Sequence, residues 1–156
     1  MIKVTVIALG KLKEKYLREA VEEYAKRLGR YCNFSVKELE PVRISEKPSE
    51  NEIMSALRRE AEDIRRVMPK SAYKIALCVE GKKMSSEEFS SCVLSGKSEL
   101  VFIIGSSHGL YDELKRECDL RLSVSDMTFP HQLFRVMLSE QIYRAFKIGE
   151  GSAYHK

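Results

Sequence analysis

Hydrophobic positions along the chain change their spacing several times, and these changes divide the sequence into strands and helices. Continuous or alternating apolar runs, which are typical of strands, lie at 2–9, 34–39, 74–79, 99–104 and 121–124. Between them, apolar residues recur every three or four positions, as on one face of a helix, at 12–28, 49–68, 85–95, 110–118 and 128–147. Strands that alternate with helices predict an α/β fold in which a mainly parallel sheet is flanked by helices.

Turn and cap residues set the expected ends of several of these elements. Ser49, with Glu52 three positions later, is a candidate cap for the second helix. Gly81 is expected to close the third strand. Pro130 has a fixed φ that suits the start of a helix, so Thr128 or Phe129 is expected to cap the last one.

The last predicted helix is apolar on more than one side. Its apolar residues are Leu133, Phe134, Val136, Met137, Leu138, Ile142, Tyr143, Ala145 and Phe146. A helix of this kind needs two partners to bury it. One partner can be the sheet, and the other is expected to be the same helix of a second copy, which predicts a homodimer. The alternative is a helix that is buried in a single core.

Length and charge constrain the chain further. A chain of 156 residues buries about 70% of its unfolded surface, so it is expected to form a single domain, 1–156, without a stabilising metal or disulfide. The net charge of +4 is carried by residues 1–30, where eight Lys and Arg face four Glu. This excess is either a solvated helix face or a basic patch that binds phosphates.

The cysteines and the hydropathy pattern exclude some classes of protein. Four cysteines, at positions 32, 78, 92 and 118, match no zinc-site spacing, so no metal is expected. Cys78 lies in an apolar run and is expected to be a buried hydrophobic residue. No apolar run reaches the roughly 20 residues that span a bilayer, so no membrane association is expected. Without a secretory signal, we expect reduced thiols and a cytoplasmic location.

The strongest local signal lies in the last third of the chain. The apolar run at 99–104 opens into a loop of small residues at 105–109, and a turn rich in Ser and Thr follows at 122–129. Ligands of open α/β sheets bind where strands end in such loops. The loop lacks the spacing of a phosphate-binding motif, so the pattern indicates a ligand pocket without naming its ligand.

Four motifs resemble the ribosomal large-subunit methyltransferase H family, a SPOUT-class family that uses S-adenosylmethionine. They are Gly105-x-x-x-Gly109-Leu110, Leu122-Ser123-x-Ser125-x-Met127-Thr128-Phe129-Pro130-His131-Gln132, Tyr143-Arg144-Ala145-Phe146-Lys147-Ile148 and Ala153-Tyr154-His155-Lys156. Residues 6–13 are also similar, and the resemblance covers the chain from 1 to 156.

This resemblance implies a fold and an activity. The fold is SPOUT-like, and its C-terminal part threads a trefoil knot, a feature that general folding rules would not suggest. The activity is methyl transfer from S-adenosylmethionine to N3 of a pseudouridine in 23S rRNA of the assembled ribosome. Two alternatives remain open: a SPOUT-like methyltransferase with another RNA target, and a ribosome-associated RNA-binding protein without catalysis.

The resemblance also implies which residues contact the cofactor. They are Leu77, Gly105, Val124, Ser125, Asp126, Met127, Thr128 and Phe129. Taken without the resemblance, Leu77 is a core residue, and the Ser and Thr side chains are helix caps. The family usually has a second glycine where this chain has Ser106, and a left-handed backbone at that position would cost a serine about 1 kcal/mol.

Arg144, Tyr154 and His155 are the candidate catalytic residues that the resemblance implies. His155 is expected to accept the N3 proton or to orient the nucleotide, because an imidazole titrates near neutral pH. Arg144 can bind a phosphate, or it can merely pair with Glu140, four residues earlier. Chain termini are ordinarily disordered. We nevertheless expect this tail to fold over the cofactor and complete the acceptor site, of the same subunit or of its partner.

Overall fold

The computed structural model describes residues 1–156 as five strands and five helices that alternate along the chain. The strands are β1 (Ile2–Leu9), β2 (Cys32–Leu39), β3 (Tyr73–Lys83), β4 (Glu99–Ile104) and β5 (Leu120–Ser123). The helices are α1 (Lys15–Leu28), α2 (Glu50–Val67), α3 (Ser86–Leu94), α4 (Asp112–Glu117) and α5 (His131–Gly149). The predicted α/β alternation is confirmed.

All five strands form one parallel sheet in the order β2-β1-β4-β3-β5. Because the strands are parallel, their carboxyl ends meet at one edge of the sheet, which we call the carboxyl edge. The loops that follow β1, β2, β4 and β5 therefore all begin there, within reach of one another.

Alternate residues of the inner strands face two separate hydrophobic clusters. In β4, Leu100, Phe102 and Ile104 pack with residues of α3 and α5. Val101 and Ile103 pack on the opposite face with residues of α2 and α4. The sheet is thus covered on both faces, with α1, α3 and α5 on one side and α2 and α4 on the other, as the continuous apolar run of β4 predicted.

The third strand is longer than predicted, because it runs through Gly81 instead of ending there. Its register against β5 shifts between Leu77 and Lys82, so residues 78–81 form an irregular bulge. A Cβ at Gly81 would lie 2.7 Å from backbone carbons of Arg121 and Leu122. Gly81 is therefore explained by the close approach of β5 and not by the end of the strand.

The last helix starts later than predicted. It begins at His131, Pro130 occupies the capping position, and no side chain caps this end. The expected caps Thr128 and Phe129 lie before it in non-helical backbone. Ser49 does cap α2, accepting a 3.1 Å hydrogen bond from the backbone N–H of Glu52, as predicted.

Helix α5 has more neighbours within its own chain than the sequence suggested. It packs on the sheet and against both α1 and α3, with Val136 on the α1 side. These neighbours bury four of its nine apolar residues and half-bury four others, so the two-sided pattern does not by itself require a second copy. Leu133 is the exception, being 40% exposed.

No helix of the structure combines the length and apolar character that crossing a bilayer would need.

The expected trefoil knot stays a prediction.

Candidate functional site

A cleft of about 670 Å³ opens at the carboxyl edge, between the ends of β3, β4 and β5. Its volume lies in the range of small-molecule sites. Seven of the eight expected cofactor residues line it: Leu77, Gly105, Val124, Ser125, Met127, Thr128 and Phe129. The carboxylate of the eighth, Asp126, instead forms an ion pair with Lys83.

The loop at 105–109, which we call the cofactor loop, is a tight turn. The N–H of Gly109 donates a 2.9 Å hydrogen bond to the carbonyl of Ser106, and Gly109 has a φ of +85°. A Cβ at Gly105 would lie 2.3 Å from the carbonyl oxygen of Gly109. Ser106 does not have a positive φ, so the strain that would accompany a left-handed serine is absent.

Hydroxyl groups hold the second wall of the cleft. The Ser123 hydroxyl donates to the carbonyl of Ser125 at 3.0 Å, and the Met127 N–H donates to the Ser125 hydroxyl at 3.0 Å. Neither bond reaches helix α5, so these serines shape the turn and do not cap the helix. The turn leaves the Met127 side chain 73% exposed.

Several lining residues were not predicted from the sequence. Cys78, Val79 and Glu80 reach the cleft because they lie in the bulge of β3. Cys78, expected to be buried, is half-buried there. The bulge leaves no distinct sequence signal apart from Gly81, whose missing side chain admits β5.

Lys115 is a second unpredicted residue of the cleft wall. Burial alone would lower the pKa of this ammonium group, but the carboxylates of Glu80 and Asp112 outweigh burial and raise it. The Asp112 carboxylate is 2.9 Å from the Lys115 ammonium. Lys115 therefore stays protonated at neutral pH, and its charge is balanced by these carboxylates.

Two histidines also line the cleft, His108 in the cofactor loop and His131 at the start of α5. Burial, followed by the positive charges of Arg135 and Lys13, lowers the pKa of His131. A neutral His131 is the consequence at physiological pH.

The candidate catalytic residues are grouped together, but they do not line the cleft of their own chain. The Arg144 guanidinium donates to Glu140 at 2.7 Å, and the Tyr154 hydroxyl donates to the same carboxylate at 3.1 Å. Arg144 also lies over the Tyr154 ring, 4.8 Å from its centre. The tail is thus docked on α5. Arg144 pairs with Glu140, as the second interpretation expected, and its binding of a phosphate stays a prediction.

The hydrogen bonds of His155 fix its tautomer. Its Nδ1 lies 3.1 Å from Nη1 of Arg144, and its Nε2 lies 2.9 Å from Oε1 of Glu87. Because a guanidinium only donates, Nδ1 must be the acceptor, and Nε2–H must donate to Glu87. In this arrangement both ring nitrogens are occupied, and the bond to His155 lowers the pKa of Glu87.

The loop after β1 is held rigidly beside the cleft. The Arg18 guanidinium donates to the carbonyls of Leu12 and Lys13 at 3.0 Å each, and the Lys13 N–H donates to the Gln132 side chain at 3.2 Å. Arg135, which is 1% exposed, donates to the Gly10 carbonyl at 3.0 Å. Arg18 is one of the eight basic residues in 1–30, but its guanidinium is used to hold this loop.

No three His, Cys, Asp or Glu side chains are grouped so that they could hold a metal ion. A parallel α/β sheet whose cleft is built from the loops after its strands is typical of the class of α/β proteins that bind small ligands. The family described as "Predicted SPOUT methyltransferase" matches residues 2–155. The chain belongs to this SPOUT methyltransferase family.

Curated relatives show which members of this family the chain resembles in sequence. A protein of Clostridium kluyveri named ribosomal RNA large subunit methyltransferase H is 48% identical over 157 aligned residues, which cover 98% of this chain and 99% of the relative. One of Acetivibrio thermocellus with the same name is 45% identical, covering 99% of this chain and 100% of the relative. The family resemblance that the motifs predicted is confirmed.

A solved structure supports the fold. A probable methylase family protein from Haemophilus influenzae superposes with a TM-score of 0.60 at 14% identity, covering 100% of this chain and 72% of that one. At this identity the likeness concerns the fold alone.

Proposed function

We propose that the protein is an S-adenosylmethionine-dependent methyltransferase that acts in the cytoplasm on N3 of a pseudouridine in 23S rRNA of the assembled ribosome. The observation that carries the proposal is the cleft, which gathers seven of the eight residues expected to contact the cofactor. The names of the relatives supply the substrate class, large-subunit ribosomal RNA.

The cleft fits S-adenosylmethionine chemically. Leu77 and Phe129 offer apolar surface for an adenine ring, and the backbone of residues 124–129 offers donors and acceptors for its edge. Glycine at 105 keeps the cofactor loop closed, since a side chain there would strike the backbone of Gly109. The bound cofactor supplies a methyl group that is already activated as a sulfonium. The protein has to position the acceptor and manage its proton.

A homodimer is the arrangement that best joins the tail to the cleft. The tail residues Tyr154 and His155 do not line the cleft of their own chain. Two lining residues, Val124 and Met127, expose 40% and 73% of their surface, and Leu133 on α5 exposes 40%. We infer that a second copy covers these apolar side chains and brings its own tail to the cleft.

Within the composite site, Arg144 and Tyr154 hold the nucleotide, the first through its fixed charge and the second through its ring. His155 orients the nucleotide, because Arg144 and Glu87 occupy both of its ring nitrogens in the docked tail. A role as general base would require one of these bonds to open.

The basic excess supports binding to RNA. Lys11 and Lys13 are exposed, form no salt bridge, and lie on the loop that Arg18 and Gln132 hold beside the cleft. Their ammonium groups are available to phosphates of the nucleic-acid backbone near the target.

The test is transfer of a tritiated methyl group to 70S ribosomes from a strain without this activity, followed by mapping of the labelled nucleotide. We expect label at N3 of a 23S rRNA pseudouridine. Label in another RNA would replace the substrate assignment, and absence of transfer despite cofactor binding would favour a non-catalytic RNA-binding role. Gly105→Ala, whose Cβ would strike the Gly109 carbonyl and force the cofactor loop out of its turn, is the inactive control.

A further inference from the structure

A buried carboxylate lies behind the cofactor loop, outside the set of residues that line the cleft. Glu60, on α2, is 4% exposed. Its Oε2 accepts a 2.9 Å hydrogen bond from the backbone N–H of Val42, and its Oε1 accepts a 3.2 Å bond from the Ser106 hydroxyl. No basic side chain forms a salt bridge with this carboxylate.

Burying an acid without a positive partner is unfavourable, so its retention calls for a physical reason. A hydrocarbon side chain at this position would pack in the same cluster as Ala61 and Ile64 without the desolvation penalty. What a hydrocarbon cannot do is accept hydrogen bonds from two different loops at once.

The two partners of Glu60 belong to loops at the carboxyl edge that are distant in sequence. Val42 lies in the loop after β2, and Ser106 lies in the cofactor loop after β4. β1 separates these two strands in the sheet. Through one carboxylate, α2 therefore fixes the entrance of the cofactor loop to a second loop on the other side of β1.

We propose that Glu60 is a positioning residue for the cofactor. It holds the Ser106 end of the cofactor loop in the binding geometry by joining it to the backbone of Val42, without touching the cofactor itself. The proposal rests on the assignment of the cleft as the S-adenosylmethionine site. It gives Ser106, where the family usually has glycine, a defined partner.

Four variants test the proposal by calorimetric titration with S-adenosylmethionine. Glu60→Ala and Ser106→Ala each remove the hydrogen bond between the loop and α2, and each should weaken affinity about tenfold. The double variant should be no weaker than the weaker single one, because both act through one bond. Glu60→Gln should bind like the unmodified protein, since its amide can accept from Val42 and donate to the Ser106 hydroxyl.

Glu62→Ala is the matched control, because Glu62 is an exposed carboxylate on the same helix with no hydrogen-bond partner. Unchanged affinity in both Glu60→Ala and Ser106→Ala, or losses that multiply in the double variant, would overturn the proposal. If Glu60→Ala does not fold, the affinity of Ser106→Ala alone tests the proposal. This variant should fold, because the half-buried serine loses only a hydroxyl.

Hydrogen exchange separates this proposal from the assignment of the cofactor. The Gly109 amide, which bonds the Ser106 carbonyl within the loop, should exchange faster in Glu60→Ala than in Glu60→Gln, with no ligand present. If the unmodified protein fails to bind S-adenosylmethionine but shows this difference, the cofactor assignment fails and the loop-positioning role stands. Equal exchange in the two variants would contradict the role.

Discussion

The cleft and the tail are built from different interactions. Backbone geometry and hydroxyl groups shape the cleft, through Gly105, Gly109 and the hydrogen bonds of Ser123 and Ser125. Charged side chains hold the tail, through Glu140, Arg144, His155 and Glu87. One part of the site depends on steric fit, and the other depends on ion pairs at a partly exposed surface.

Because the two parts are held by different interactions, we expect them to serve separable steps. A cleft shaped by backbone turns and hydroxyl groups should be less sensitive to salt than the tail. A tail held by partly exposed charges is weakened by salt and by changes of pH, because such pairs are screened and titrate. Cofactor binding and methyl transfer should therefore respond to different substitutions.

Deletion of residues 154–156 should separate the roles of the tail and the cleft most clearly. We expect methyl transfer to ribosomes to be abolished, because Tyr154 and His155 are lost, while S-adenosylmethionine affinity changes less than about twofold. Radiolabel transfer and calorimetry on the same preparation measure the two quantities. Full transfer by the shortened chain would show that the tail takes no part, and lost cofactor affinity would place it in the cleft instead.

Leu133→Glu should separate the subunits. The substitution replaces an apolar side chain on α5 with a charged one. Burying this charge unpaired between two copies is strongly unfavourable. We expect sedimentation to shift from twice the chain mass to the monomer, with a large loss of transfer and little change in unfolding temperature.

Met54→Glu is the control for the dimer, because Met54 is 45% exposed on α2, on the opposite face of the sheet. It should leave both mass and transfer unchanged. An unmodified protein that is monomeric at micromolar concentration and fully active would contradict the composite site.

His155→Ala should cause a smaller loss. If His155 orients the nucleotide, turnover should fall about tenfold, and the ratio to the unmodified enzyme should stay constant from about pH 6 to 9. A general base would give a loss of about 100-fold or more that changes with pH. Rates under saturating ribosomes across this pH range distinguish the two roles.

Much of the fold follows from the sequence because its signals are local. The buried strand β4 is a continuous apolar run, and Ser49 and Glu52 mark the start of α2. The late start of α5 and the extension of β3 past Gly81 were missed, because neighbouring strands and loops decide them. A glycine that admits another backbone looks in sequence like a glycine that ends a strand.

The site was predictable only where motifs carry it. The cofactor residues came from a family resemblance, and the cleft gathers all but Asp126. Glu60 gave no sequence signal, since a carboxylate on a charged helix is ordinarily solvated. Its burial follows from two loops that are distant in sequence and meet at one edge. The separation of tail and cleft is likewise a property of three-dimensional placement.

Acid should loosen the tail before it affects the cleft, and we expect this effect to be small. The pKa of Glu87 is lowered, with the His155 bond as the largest cause. Its contribution is therefore present above the unfolded pKa and is lost as the pH falls through the folded one. The protection of the tail amides, relative to their intrinsic exchange rate at each pH, should fall in acid before that of the cleft residues.

The pKa of Glu60 is shifted in the opposite direction to that of Glu87, so its contribution to stability depends on pH in the opposite way. Burial raises its pKa, Asp63 adds to the rise, and the bonds from Val42 and Ser106 and the charge of His108 oppose it. A raised folded pKa means that the contribution of Glu60 to stability is lost as the pH rises through it. Glu60→Gln should therefore raise the unfolding temperature by about 2 °C near pH 8 and leave it unchanged near pH 4. Glu62→Gln, on the exposed side of the same helix, should change it at neither pH. A stability loss for Glu60→Gln near pH 8 that disappears in acid would reverse the sign and show that Glu60 is held as a stabilised anion.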